Sequence, residues 1–280
     1  FMVYQKFTPS EELTPFIECY FTWHSSGVSA NGLTVESPPN GFCSFVFNNG
    51  DDYTLRNKKY EGLTVPRQFV SGQSIYSYSL HFNGVIDQCG IVFKPAALSS
   101  LYDLPTFEYT EERIPLSTIF KQAVIDSLSA SLAAEKDPVG KARLLEQFVM
   151  DVYKKTNPKP DYIDNAVQQI VDRNGMVDVT ELMREVFMSR RNFERKFFKK
   201  VGLSPKYYAR LRRIGYLLNL IAGKKRADWG KLFSECEYYD QSHFIKDFLE
   251  FTGRTPQQYL DDNKELANIV DKPKPNPIQY

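Results

Sequence analysis

One phrase of the sequence is written twice at a fixed distance. GLSPKYY occupies residues 202–208 and GRTPQQY residues 253–259, an offset of 51. The same offset carries Phe193 onto Phe244, Arg195 onto Lys246, Phe197 onto Phe248, Gly202 onto Gly253, Ser204 onto Thr255, Pro205 onto Pro256 and Tyr208 onto Tyr259. A constant offset held by aromatic, Gly and Pro positions marks one supersecondary unit used twice. Two copies are too few for a solenoid, so the chain must carry a paired module.

The first copy explains what the unit is. DVTELMREVF (178–187) has the spacing of a short amphipathic helix, with Leu182 and Val186 four apart. Ser189 is a suitable N-cap for a second helix, RRNFERKFFKK. Phe193 and Phe197 fall on one face of it, and Arg191 and Arg195 on another. Gly202 ends that helix in a left-handed conformation, and Ser204-Pro205 starts the next, the hydroxyl capping and the proline filling a position that needs no donor. Two short helices with a tight break, the second basic, form a helix-turn-helix whose second helix can enter a major groove. WGKLFSECEY, a break, DQSHFIKDFLE and GRTP repeat the pattern.

Charge is placed to match. Residues 184–213 hold eleven Lys and Arg against Glu185 and Glu194, a balance of +9 in a chain whose net charge is +1. Such asymmetry suits a polyanionic partner. Residues 228–251 carry Lys231 and Lys246 against six acids, a balance of −4. The second unit is therefore expected to contribute less to DNA binding.

A tandem pair of such units, each closed by G-x-[ST]-P-x-x-Y and the second containing DQSHFIKDF, resembles the AraC/XylS family of bacterial transcription regulators over residues 161–262. The resemblance implies an all-α domain in which one helix, residues 205–222, joins the two units. It implies double-stranded DNA as partner, read in two successive major grooves. It places Arg191, Glu194 and Arg195 on bases in the first groove, with Arg190 near phosphate, and Gln241, Ser242, His243 and Lys246 in the second. RNA polymerase is the protein partner that goes with such a regulator. The family favours Gly in each turn, where this chain has Phe187 and Glu237.

The first 155 residues resemble, less specifically, the cupin-like sensor domain that precedes such units. Turn clusters such as PPNG and NNGDD separate short apolar runs over residues 1–110, which read as strands of a β-barrel. TPFIECYFTW (14–23) reads as a helix leading into a strand. Two helices follow over 115–155, the second capped by Asp137 before Pro138. Their apolar face, with Ile119, Val124, Ile125, Leu128, Leu144, Leu145 and Phe148, suggests homodimer formation. TNPKP (156–160) is the linker, and 263–280 is expected to be a disordered tail. The fold class is therefore α+β in two domains, a barrel with flanking helices followed by the tandem module.

Aromatic residues of the barrel, Phe45, Phe47, Tyr76, Tyr78 and Phe82, are candidates for lining a small-molecule effector pocket as well as for plain core. An alternative is a regulator with no effector, controlled by a partner or by dimerisation. A cupin-type enzyme fused to a DNA-binding module is disfavoured, because metal-binding cupins need a clustered His-x-His set and His24 and His81 stand isolated. No catalytic residues, metal or cofactor are expected. Cys19, Cys43, Cys89 and Cys236 lack the spacing of a zinc knuckle or a disulfide framework. No apolar run is long enough for a membrane helix and no leader pattern is present, so a cytoplasmic location is expected.

Overall fold

The computed structural model of the protein describes residues 2–27, 32–224, 226–262 and 276–278. The N-terminal part is built from β1 (Met2–Thr8), β2 (Ile17–Ser25), β3 (Leu33–Ser37), β4 (Cys43–Asn48), β5 (Tyr53–Arg56) and β6 (Leu63–Thr64). β7 (Gln68–Ser71), β8 (Tyr78–Phe82), β9 (Ile86–Phe93) and β10 (Arg113–Pro115) complete it, with β11 (Asn276–Pro277) arriving from the far end of the chain. Seven strands lie in the order β10-β7-β4-β9-β2-β1-β11 and four in the order β3-β8-β5-β6.

The expected barrel is corrected to two facing sheets. Among the described residues no ladder joins β3 or β6 to the larger sheet, so the strands do not close. The larger sheet is instead covered on both faces, which is why its strands read as near-continuous apolar runs. One face packs Tyr20, Phe45, Phe47, Ile91 and Phe93 against helices α1 (Ala97–Tyr102), α2 (Gln122–Ala134) and α3 (Pro138–Thr156). The other packs Phe21, Trp23, Val46 and Phe69 against Val35, Tyr53, Leu55 and Phe82 of the smaller sheet. The segment 14–23 starts as turn, not helix, and β2 takes over at Ile17.

Helices α2 and α3 spend their apolar face on this core. Ile125 and Leu145 are buried there, and Ile119, Leu128, Leu144 and Phe148 pack against it. Val124 is the large apolar side chain of the expected dimer face left exposed. Asp137 caps α3 as the sequence implies, accepting from the amides of Val139 and Gly140. All four cysteines are buried and unpaired. Burial pushes the thiols of Cys19, Cys43 and Cys89 up to about 12. Since the thiolate is the nucleophile, alkylation of these three at pH 8 should be slow in the folded protein and fast in denaturant, as mass spectrometry would register.

The expectation of a disordered tail is corrected at residues 276–278. Asn276 and Pro277 pair in parallel with Phe7 and Thr8, and Ile278 is buried in the helix-side core. This contact covers the outer edge of β1, where unpaired backbone groups would otherwise be exposed. The rest of that stretch, 263–275 and 279–280, lies outside the described residues. Ile278→Ala should cost about 2 kcal/mol, the low end for removing a buried Ile. A denaturant midpoint unchanged by the substitution would argue against the contact.

The C-terminal part is helical: α4 (Tyr162–Asp172), α5 (Val179–Glu185), α6 (Arg190–Val201), α7 (Pro205–Ile221), α8 (Trp229–Glu235), α9 (Gln241–Thr252) and α10 (Pro256–Asp262). α4 opens with a capping box between Asp161 and Asp164. The core centres on α7, which buries Tyr208, Leu211, Ile214, Leu217, Leu218 and Ile221.

Candidate nucleic-acid interface

The two copies of the repeat fold as two helix pairs, α5–α6 and α8–α9. Each begins on a capping aspartate, Asp178 and Asp228. Each second helix has its own cap, Ser189 accepting from the Asn192 amide at 3.4 Å and Asp240 from the His243 amide at 2.7 Å. Each ends on a left-handed glycine, Gly202 at φ 88° and Gly253 at φ 71°. Ser204 then caps α7 by accepting from the Tyr207 amide, and the Thr255 hydroxyl accepts from the Gln258 amide before α10. Phe193 and Phe197, and their counterparts Phe244 and Phe248, are fully enclosed.

The aspartate caps are 50 residues apart and the second caps 51, so the break of the second unit holds one residue more. Both breaks contain a left-handed residue, Phe187 at φ 50° and Glu237 at φ 52°. These are the positions where the resembled family has Gly. Phe187 is 99% exposed, so no packing compensates its strained backbone, whereas the Glu237 carbonyl accepts from Arg213 Nη1 at 3.4 Å. Replacing Phe187 with Gly should raise stability by about 0.5–1 kcal/mol. Thermal unfolding reads this as a rise of a few degrees, and a fall would show that Phe187 makes a contact that matters.

The eight candidate side chains gather on the first two turns of α6 and α9. On α6, Arg191 is exposed, with no hydrogen-bond or ion-pair partner among the described residues. Arg195 donates to Asn192 Oδ1 at 2.9 Å, and Arg190 donates to Glu194 at 2.9 Å. On α9, Gln241, Ser242, His243 and Lys246 are all exposed. Exposed donors on the leading turns of a capped helix are suited to base edges and phosphate oxygens. Sequence reasoning did not single out Tyr239, which is 95% exposed in the turn before α9.

The charge count needs correcting in space. Asp247 is fully buried and accepts from Arg210 Nε at 3.0 Å and Nη2 at 2.7 Å. Glu250 accepts from the same guanidinium at 2.5 Å and from the Tyr207 hydroxyl at 2.7 Å. Arg210 belongs to the basic stretch and Asp247 to the acidic one, so this pair cancels, with Glu250 sharing the same guanidinium. Setting the pair aside narrows the contrast from +9 against −4 to +8 against −3. Lys200 is likewise engaged, by Asp161 at 2.9 Å and Asp164 at 2.6 Å.

The last turn of α6 grips the N-terminal part. Phe198 stacks on Phe107 with centroids 5.2 Å apart, Lys200 donates to the Ser100 hydroxyl, and Thr110 donates to the Gly202 carbonyl. The second unit is held too, by an ion pair between Arg254 and Glu36 and by the Ser77 amide donating to the Phe251 carbonyl at 2.9 Å. Between them α7 lies against the loop 38–42, where Tyr208 Oη donates to the Gly41 carbonyl at 2.9 Å. Gly215 permits the approach, since a Cβ there would stand 2.6 Å from the Pro39 carbonyl oxygen.

Beneath α7 the two sheets enclose a cavity of about 450 Å³. Of the five aromatic residues considered for such a pocket, Tyr78 lines it. Phe45 and Phe47 point to the helix-side core, Phe82 is core between the sheets, and Tyr76 lines a separate shallow groove.

Residues 5–115 match a domain of unknown function (DUF6597), and residues 182–262 match a helix-turn-helix domain model. No curated protein matches the chain. Among solved structures the chain is similar to ToxT from Vibrio cholerae, at 14% identity and TM-score 0.45, over 93% of this chain and 97% of that one. A second ToxT structure, with unsaturated fatty acid bound, aligns at 15% identity and TM-score 0.43 over 97% of each chain. The AraC-like transcriptional activator CuxR aligns at 12% identity and TM-score 0.30, over 84% of this chain and 100% of that one. The paired units, their caps and the matched residues 182–262 together make the C-terminal part a tandem helix-turn-helix domain, and the chain a DNA-binding transcription regulator.

Proposed function

We infer that α6 and α9 enter two successive major grooves of one DNA site, and that the cavity under α7 holds an effector that modulates this binding. The observation that carries the first half is the matched pair of exposed leading turns on a common helix. At ~1.5 Å per residue the 17-residue α7 is ~26 Å long, commensurate with one turn of DNA at ~34 Å. Arg191 and Arg195 would read bases in the first groove, with Glu194 beside them and Arg190 on phosphate. Gln241, Ser242, His243 and Lys246 would take the second. The cavity is of a size for small molecules, and its roof is the helix that joins the two units. That favours effector control over a regulator with no ligand.

The chain acts by binding rather than catalysis in this reading. His24 is exposed on β2 while His81 bonds the Thr34 hydroxyl on the smaller sheet, and no group of three metal-ligating side chains occurs among the described residues. No helix of the described residues is long and apolar enough to cross a membrane. The setting that fits is the bacterial cytoplasm.

Selection of bound fragments from genomic DNA by the purified full chain tests this. A single recurring motif is expected, bound tightly at low salt and with affinity falling steeply as salt rises, roughly 0.9 in logarithmic slope per neutralised phosphate. Recovery of fragments without a common motif would overturn sequence-specific binding.

A further inference from the structure

We propose that the cavity between the sheets takes an organic acid: a ring-sized apolar body between the walls and a carboxylate held by Arg113, with Trp23 and Gln88 as further donors. The proposal rests on reading the N-terminal part as an effector domain and names the chemistry of its ligand.

The walls set the body. Phe21 and Phe69 of the larger sheet face Val35, Leu55 and Leu80 of the smaller one across the space. Those walls suit a flat apolar body, while Ser37, Ser44, Ser71 and Asn219 place polar groups elsewhere in the lining.

The polar groups set the head. Arg113, on β10, is only 8% exposed and lines the cavity. It donates from Nη1 to the Glu112 carbonyl and from Nη2 to the Ser74 hydroxyl, both at 3.1 Å, and both acceptors are neutral. Its guanidinium lies 5.3 Å over the Tyr78 ring. Among the described residues no carboxylate stands within ion-pair distance of it, and its charge is felt by Glu111 and Glu112 farther off. A guanidinium has five N–H donors, and the two bonds above leave others to fill. A carboxylate in the cavity would accept from them.

Two further buried groups point the same way. Trp23 is 3% exposed and its Nε1 has no acceptor among the described residues. Gln88 is 4% exposed; its side chain lies beside the Tyr53 hydroxyl, yet Nε2 lacks an acceptor in good geometry. Each unsatisfied atom is a donor, so the complementary ligand group is rich in acceptors. Lys6 and Arg212 add positive charge to the lining, against Glu18 alone. Arg212 sits on α7, donates to the Asn40 carbonyl and stacks over Phe42 at 4.7 Å. An acid that fills the cavity therefore also touches the helix joining the two DNA-reading units.

The test is calorimetric titration of the full chain at pH 7 with 3-phenylpropionate and 4-phenylbutyrate, each against its own primary amide. The acids should bind about tenfold or more tightly than the amides, as expected for a charge-assisted pair. Arg113→Gln should erase that preference while leaving amide affinity within about threefold. If Arg113→Gln does not fold, Trp23→Phe keeps a ring, removes one donor and should weaken the acid more than the amide. Equal binding of acid and amide, an acid preference that survives loss of these donors, or no saturable binding of either acid at millimolar concentration would overturn the proposal. DNA is absent from the titration, so such a failure leaves the DNA-binding reading intact.

Discussion

Arg191→Ala and Arg195→Ala should each weaken binding to the mapped DNA site by about tenfold or more. A bidentate Arg–guanine contact discriminates by about 1–3 kcal/mol, and each lost phosphate contact lowers the salt slope by roughly 0.9. Arg191 is the sharper test, because no internal partner among the described residues competes for it, whereas Arg195 must first release Asn192. Lys246→Ala and Gln241→Ala should cost less. The structure moderates this contrast without removing it. Asp247 and Glu250 on α9 share the one charge of Arg210, so the second unit repels phosphate less than its sequence suggests. Fluorescence titration of each variant at two salt concentrations gives the comparison. Equal losses in the two sets would show that both grooves are read alike.

Asp247→Ala should be the most destabilising single change in the DNA-binding part. The side chain is fully buried, accepts two bonds from Arg210 and lies 3.4 Å from the Tyr238 hydroxyl that donates to it. Removing one member of a buried pair typically costs about 3–5 kcal/mol, because the other charge is left behind. Arg210 keeps Glu250 and is partly solvated, which argues for about 3 kcal/mol. That corresponds to a fall in Tm of roughly 6–12 °C. Asp247→Asn, which keeps shape and one acceptor, should fall less. An unchanged Tm would mean the network contributes nothing.

The same network sets a pH dependence. Burial raises the Glu250 carboxyl, but hydrogen bonds from Tyr207 and Arg210 outweigh it and hold the group below its ordinary value of 4.5. Its contribution to stability is then fully present above 4.5 and is lost as pH falls through the lower folded value. Unfolding curves between pH 6 and pH 3 should show that loss in the wild type and less of it in Glu250→Gln.

What the sequence discloses is local. Ser189, Ser204, Asp137, Gly202 and Gly253 act through neighbours a few residues away, and each does in the fold what its type and spacing imply. Phe187 and Glu237 stand where the resembled family favours Gly, and both hold the left-handed backbone that makes Gly favoured there. What the sequence hides depends on distance along the chain. The cancellation of Arg210 by Asp247 spans 37 residues, so a linear charge count cannot see it. The extra residue in the second turn is masked because the offset of 51 comes from the helices after it. Open sheets look like a barrel in sequence because turn clusters and apolar runs carry no register. The donors of the cavity come from β2, β9 and β10, and only the assembled sheet, with β7 and β4 between β10 and β9, puts Trp23, Gln88 and Arg113 on the lining of one cavity. The return of residues 276–278 to β1 had no signal beyond a single Ile in a polar, proline-rich tail.

The two-groove account is tested most directly by base-resolved footprinting of one protein molecule on its selected site. Guanine N7 methylation interference should reveal two major-groove patches on one face of the duplex, with centres about 10–10.5 base pairs apart. Arg191→Ala should erase interference in one patch and leave the other in place. A single patch, or two patches at a spacing that places them on opposite faces, would contradict the reading of α6 and α9 as paired recognition helices.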